Sequence, residues 1–183
     1  IFNAAGSTVA MSADSTFQNN TAAALERSGC AFQNGFDLPW YCNSNSTDAT
    51  FILGAGTFAW SDEVTCSGKK ITVTGAGAGV TILDAGAVRR FFTLNNGCKL
   101  VLKDLSLSNG TAADGGAIFV KTGASLDMSN VALQDNAATA GSGGAIYNDG
   151  GTVSGVGVQF TRNTASVGGG AINKAWASSS TSI

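Results

Sequence analysis

The tetrapeptide Gly-Gly-Ala-Ile occurs three times, at 115–118, 143–146 and 169–172, so its copies stand 28 and 26 residues apart. Between copies the same short alternating runs recur in the same order: Ser125-Leu126-Asp127-Met128 then Val131-Ala132-Leu133, and Thr152-Val153-Ser154 then Val158-Gln159-Phe160. Upstream the cadence continues without the glycine pair, through Ile71-Thr72-Val73, Thr81-Ile82-Leu83, Phe91-Phe92-Thr93, Leu100-Val101-Leu102 and Leu105-Ser106-Leu107. Runs this short, alternating in polarity and bounded by Gly, Asn, Asp or Ser, read as half-buried strands. Strands of three to five residues cannot stand alone, but a fixed period lets them wind into stacked coils that bury one another.

The expected fold is therefore all-β, a parallel β-helix (solenoid) with three short strands per coil of about 27 residues. Ile71 and Val73, Leu100 and Leu102, Leu126 and Met128, and Val153 are expected to point inward and stack as aliphatic rows. Ile118, Ile146 and Ile172 form a further row. The glycines before them (Gly115, Gly116, Gly143, Gly144, Gly169, Gly170) permit a corner where a Cβ would collide. A β-sandwich is the alternative, but it calls for more turn prolines than the single one present and for less regular spacing. Three segments are expected: 1–23 as a partial repeat, 24–50 as an excursion or cap closed by a disulfide, and 51–183 as the β-helix. Helical periodicity is confined to 21–27, where Ala22, Ala23, Ala24 and Leu25 could make one or two turns.

Composition narrows the function. Charged residues are 12% of the chain, hydrophobic residues 44%, and the formal net charge is -2. Apolar content is too high for a disordered tail, and the ten basic residues form no stripe of the kind that displaces counterions from nucleic acid. No apolar run approaches the ~18 residues that would cross a bilayer, and no signal peptide is visible from Ile1 onward, so a mature chain or a fragment is expected. Histidine is absent, which removes the commonest general base and the usual neutral metal ligand. No cofactor, no metal site and no catalytic residues are expected.

Four cysteines suit two disulfides and an oxidising compartment. The pairs expected are Cys30–Cys42 and Cys66–Cys98, the second because both cysteines fall near one corner of successive coils. Sequons begin at Asn19, Asn45 and Asn109, which fits a secreted glycoprotein. The carboxylates Asp84, Asp104, Asp114, Asp127, Asp135 and Asp149 fall on different faces or in turns, so no glycosidase-type pair is evident. Arg89-Arg90 reads as a solvated corner. Gly75-Ala76-Gly77-Ala78-Gly79 lacks the Lys-Ser/Thr of a phosphate loop. Thr72 and Thr74 do not extend into the flat threonine array of an ice-binding face. Asn109, Asn136 and Asn163 are expected to stack as a hydrogen-bonded ladder at coil ends. Trp60 and Trp176 are isolated rings that could stack on sugars.

Gly-Gly-Ala-Ile alternating with Phe-x-x-Asn (Phe160-Thr161-Arg162-Asn163, and Phe17-Gln18-Asn19-Asn20) resembles the repeat of chlamydial polymorphic outer-membrane proteins. Leu133-Gln134-Asp135-Asn136 departs from it only by Leu for Phe. The resemblance is good over about 95–175 and extends over 51–94 only in cadence. It implies a right-handed parallel β-helix on a secreted or surface-anchored protein, used for adhesion or surface architecture.

Residues 1–22 repeat the pattern once more: Ile1-Phe2-Asn3, Val9 and Phe17 parallel Ile146-Tyr147-Asn148, Val153 and Phe160. Two accounts fit. The chain is an excerpt of a longer solenoid, or its first residues complete the open end of a neighbouring copy and give a head-to-tail filament. Assembly residues on the second account are Ile1, Phe2, Val9, Phe17, Ile172 and Trp176. The reading is an extracellular or cell-surface, non-catalytic structural or adhesive protein, with partners that are copies of itself and, beyond those, glycans or a host surface. A fragment of a polysaccharide-acting β-helix enzyme and a glycan- or receptor-binding module are the alternatives.

Overall fold

Runs 99–108 and 125–134 are each ten residues of strand, Lys99–Ser108 and Ser125–Gln134, yet neither is straight. Each carries one residue in the left-handed region, Asp104 (φ 52°) and Asn130 (φ 52°), and the chain turns a corner there. Asp and Asn tolerate that conformation better than other side-chain-bearing residues, and the next coil has Gly157 (φ 67°) near the matching place. Asn130 Nδ2 donates to Asp104 Oδ1 at 2.8 Å, tying the corner of one coil to the next.

The computed structural model describes residues 24–27, 30–33, 37–44, 46–175 and 180–183, with side chains placed from 38 onward except at 40 and 41. Its architecture is a parallel β-solenoid of about 5 turns and about 26 residues per turn. Three faces stack along the axis. The bent face combines Ala49–Ile52, Lys70–Thr74, Lys99–Ser108, Ser125–Gln134 and Thr152–Val156, and its second limb runs through Gly56–Ala59, Thr81–Asp84 and Gln159–Thr161. A five-stranded face holds Val64–Cys66, Phe92–Leu94, Ile118–Lys121, Ile146–Asp149 and Ile172–Lys174. A narrow third face holds Thr111–Ala112, Ala137–Ala138 and Thr164–Ala165.

Register converts sequence period into rows. Ile71 pairs with Leu100, Leu100 with Leu126 and Leu126 with Val153, as the spacing requires. Val73, Leu102 and Met128 form the adjacent row, and Ile118, Ile146 and Ile172 another. Ile71, Leu100, Leu126, Ile118 and Ile146 are fully buried. Each such side chain contributes on the order of 1.5–3 kcal/mol by leaving water. The glycine corner is steric as expected: a Cβ on Gly116 would meet the Ala137 carbonyl oxygen at 2.5 Å.

Three sequence expectations are corrected. The 21–27 region is not helical where described; Ala24–Arg27 pairs antiparallel with Cys30–Gln33. Alanine's helical preference is worth only tenths of a kcal/mol per residue and yields to a strand partner. The helix lies instead at Asp37–Ser44 (α1), with Asp37 and Pro39 in its first turn, where a carboxylate and a missing N–H are both tolerated. Leu38 and Cys42, four residues apart, turn inward against the first strand of the five-stranded face. Within the asparagine ladder, Asn136 Nδ2 donates to Asn163 Oδ1 at 2.9 Å, but Asn109 sits one residue out of line, and Gly110 takes the place, its N–H donating to Asn136 Oδ1 at 2.8 Å. Trp60 is 4% exposed and packs between Phe91 and Phe92, so it belongs to the core and is closed to sugars.

Asn130→Val is expected to destabilise the solenoid by about 1–2 kcal/mol, because a β-branched residue resists the left-handed corner. Asn130→Gly should cost less than Asn130→Val in urea stability, about 0.5–1 kcal/mol, since glycine accepts that corner freely and loses only the hydrogen bond to Asp104.

Candidate functional site

Cys66 and Cys98 form a disulfide with a Cα–Cα distance of 5.6 Å. They lie on the neighbouring turns that the sequence assigns to one corner, and Cys66 Sγ also contacts the Lys69 carbonyl. The other expected bond is absent. Cys42 is a buried free thiol on the inner side of α1, and the side chain of Cys30 is outside the described residues. Burial pushes the Cys42 thiol up to about 12, and the nearby Lys69 only partly opposes this. Lys69 itself is buried and donates Nζ to the Cys42 carbonyl.

Five of the six aspartates singled out by sequence serve contacts between coils. Asp84 Oδ1 accepts from Asn109 Nδ2 at 3.0 Å, Asp104 from Asn130, and Asp114 Oδ1 from the Ser142 N–H at 2.8 Å. Asp127 accepts from Ser154 Oγ and lies 3.2 Å from Lys99 Nζ. The Ser154 hydroxyl, followed by Lys99, holds the Asp127 carboxyl below its usual range. Asp135 takes a two-pronged contact from Arg162, both distances 2.6 Å. Each partner lies 25–28 residues away, so these carboxylates stitch coils together. Among the described residues no three Cys, Asp or Glu side chains gather as metal ligands.

Arg90 overturns the reading of a solvated corner. Its side chain is 12% exposed, with Nη1 3.5 Å from Glu63 Oε1. Nη1 also donates to Thr93 Oγ1 at 2.7 Å and Nε to the Gly115 carbonyl at 3.0 Å, while Thr93 Oγ1 donates to Glu63. Burial lowers the Arg90 pKa, and the Glu63 and Asp114 charges oppose that shift. A guanidinium so buried needs this pairing to avoid a desolvation cost of several kcal/mol. Sequence gave no sign of it, because Glu63 and Arg90 are neighbours only across a coil.

The Arg90 guanidinium carbon sits 5.2 Å from the centre of the Phe119 ring, and Lys121 Nζ sits 5.4 Å from it. Phe119 meets Tyr147 edge to face, ring centres 5.1 Å apart. Both follow the isoleucine of a Gly-Gly-Ala-Ile copy. Since that isoleucine points inward, the next residue must point outward; this is the signal that sequence reading left unused. Burial, then the Asp114 and Asp149 charges, raise the Tyr147 pKa.

The remaining candidates divide by position. Ile172 is half-buried in the last strand of its face, and Phe160 likewise packs against the edge of the core. Asn109 spends its amide nitrogen on Asp84. Ile1, Phe2, Val9, Phe17, Asn19, Asn45 and Trp176 lie outside the described residues. No described helix is long and apolar enough to cross a membrane.

Residues 157–173 match the model of the Chlamydia polymorphic membrane protein repeat. The matched span runs from the Phe160-Thr161-Arg162-Asn163 motif into the third Gly-Gly-Ala-Ile, and with the parallel solenoid it makes the chain similar to those repeat proteins in motif and architecture. No curated protein and no solved structure matches the chain.

Two measurements follow from the cysteines. Replacing Cys66 and Cys98 together by Ala should cost about 3–4 kcal/mol, the chain-entropy value for a loop of this length, read as a lower urea midpoint. In the native protein at pH 8 the Cys42 peptide should resist iodoacetamide and become alkylated only after unfolding, as mapped by mass spectrometry.

Proposed function

We propose that the chain is an extracellular surface protein with a structural or adhesive, non-catalytic role, and that, of the two accounts above, its copies join head to tail. The matched repeat is that of a bacterial membrane-protein family, which supports the surface location. The observation that carries the joining is a set of one-sided strands. Gln159–Thr161 pairs only with Ser125–Gln134, Thr164–Ala165 only with Ala137–Ala138, and Ile172–Lys174 only with Ile146–Asp149, among the described residues. Their other edges present main-chain donors and acceptors to any further strand. Val156 (78%), Val167 (76%) and Ile183 (50%) are exposed at the same end.

The core changes character there. The inward row Leu94, Val120 continues to Asn148 and Lys174, and the row Leu126, Val153 continues to Thr181. An added coil therefore gains less from apolar burial and more from main-chain hydrogen bonding, the mode by which an extended segment augments a sheet edge. A repeat-like segment such as 1–22 of another copy supplies the matching pattern. A contact between two different surfaces propagates unless rotation closes a ring.

Negative-stain electron microscopy of the purified chain tests the joining: rods that lengthen with protein concentration are expected. Isolated short particles at every concentration would remove end-to-end assembly. Deleting residues 1–22 should abolish the rods, and undiminished polymer after the deletion would remove the donated strand.

A further inference from the structure

On the five-stranded face the register sets an outward row of Thr65, Thr93, Phe119, Tyr147 and Asn173, one residue from each coil. The bent face, by contrast, turns outward Lys70 and Lys99, Thr72 and Val101, and Asp127 and Ser154. Phe119 and Tyr147 are the ring pair of the described outer surface, in direct cross-strand register. Lys121 and Asp149 are likewise in register, two residues further along the same strands.

The pairing of two rings is worth about 0.5–1.5 kcal/mol, which gives the solenoid some return. It does not require them to stay half-exposed, as both are, and a row of Thr or Val would serve the ladder without wetting an aromatic surface. The charges around the rings leave no cationic surplus: Arg90 is answered by Glu63, Lys121 stands opposite Asp149, and Asp114 adds a negative charge felt by both Arg90 and Tyr147. A nucleic acid or an anionic polymer would need a surplus of cations here, and a stable protein partner would need roughly 800 Å² of matched surface. A patch two coils high with no cationic surplus offers neither. What it does offer is the half-exposed Tyr147 ring, held edge to face by a Phe119 ring that Arg90 and Lys121 cover, and edged by an ammonium, a carboxylate, a phenol and an amide. Those are the groups that accept the C–H face of a pyranose and hydrogen-bond its hydroxyls. Adjacent coils sit about 4.8 Å apart, so consecutive residues of an outward row can meet consecutive parts of one extended saccharide.

We propose that this row is a binding site for a neutral oligosaccharide, with Tyr147 as its stacking surface, Phe119 as the ring that holds Tyr147 in place, and Lys121, Asp149 and Asn173 as its polar partners. The proposal supplies a ligand class for the adhesive part of the reading above and rests on that reading only for where the ligand is met.

The test is an array of neutral oligosaccharides of glucose, galactose, mannose and xylose, probed with the full chain. Saturable binding to at least one of them is expected. Against that sugar, Tyr147→Ala and Phe119→Ala should each weaken binding tenfold or more. Asn173→Ala, which leaves both rings in place, should weaken it severalfold, and Lys99→Ala on the other face should leave it unchanged. Circular dichroism and thermal midpoint distinguish loss of the site from loss of fold, and Tyr147→Phe, which keeps the ring, should retain most of the binding. An array with no signal above background overturns the site, as does binding that survives Tyr147→Ala and Asn173→Ala in folded protein. Rods seen by microscopy alongside a blank array would leave the surface column standing and remove only the sugar.

Discussion

Every feature of this protein depends on the parallel main-chain ladder between one coil and the next. A backbone group on a short strand has no other way to be satisfied, and an unpaired buried N–H or C=O costs as much as a lost hydrogen bond. The ladder runs in register over nine residue pairs between Lys99–Ser108 and Ser125–Gln134. Once that register holds, each side chain inherits the neighbours of its row. Aliphatic residues lie over aliphatic residues, an asparagine over an asparagine, and a left-handed corner over a left-handed corner. Slipping by one residue would turn Leu126 and Met128 to solvent and bring Asp127 inward, which is why the pairing is unique.

Side chains then add what the ladder cannot. Asn136 is fully buried; its Oδ1 accepts from the Gly110 N–H, and its Nδ2 donates to Asn163 Oδ1 and, at 3.2 Å, to the Leu107 carbonyl. It satisfies main-chain groups at a corner where the strands themselves stop pairing. Arg90 plays a comparable part on the outside of the five-stranded face, binding Glu63, Thr93 and the Gly115 carbonyl. The glycines of the repeat do the reverse: they remove side chains where three segments of backbone come within a Cβ of each other.

The parts of the fold that were legible in advance are those that repeat. Ile71, Leu100, Leu126 and Val153 announce their row by spacing alone, and so do Ile118, Ile146 and Ile172. What does not repeat was misread. Leu25 and its alanine neighbours looked helical because a local window cannot see that a second strand waits six residues on. Spacing places Asn109 in the asparagine ladder, where Gly110 stands, because a repeat is uncertain by one residue wherever a turn intervenes. Arg90 looked solvated because its partner Glu63 is adjacent only after a coil has closed. Phe119 and Tyr147 are hidden for a different reason: the inward isoleucine of each repeat dominates the pattern, although the same alternation exposes the residue beside it.

The Cys66–Cys98 bond also has a mechanical meaning. Hydrogen bonds between coils lie along the axis of the column, so tension applied to its ends loads them one after another, as in a zipper. A surface protein under shear would be peeled coil by coil at modest force. A covalent tie between two adjacent turns interrupts that process: the 32-residue span it encloses is shielded from the pull, and the force passes through sulfur instead. The two turns so joined form an inextensible collar within a column whose other described turns yield one after another.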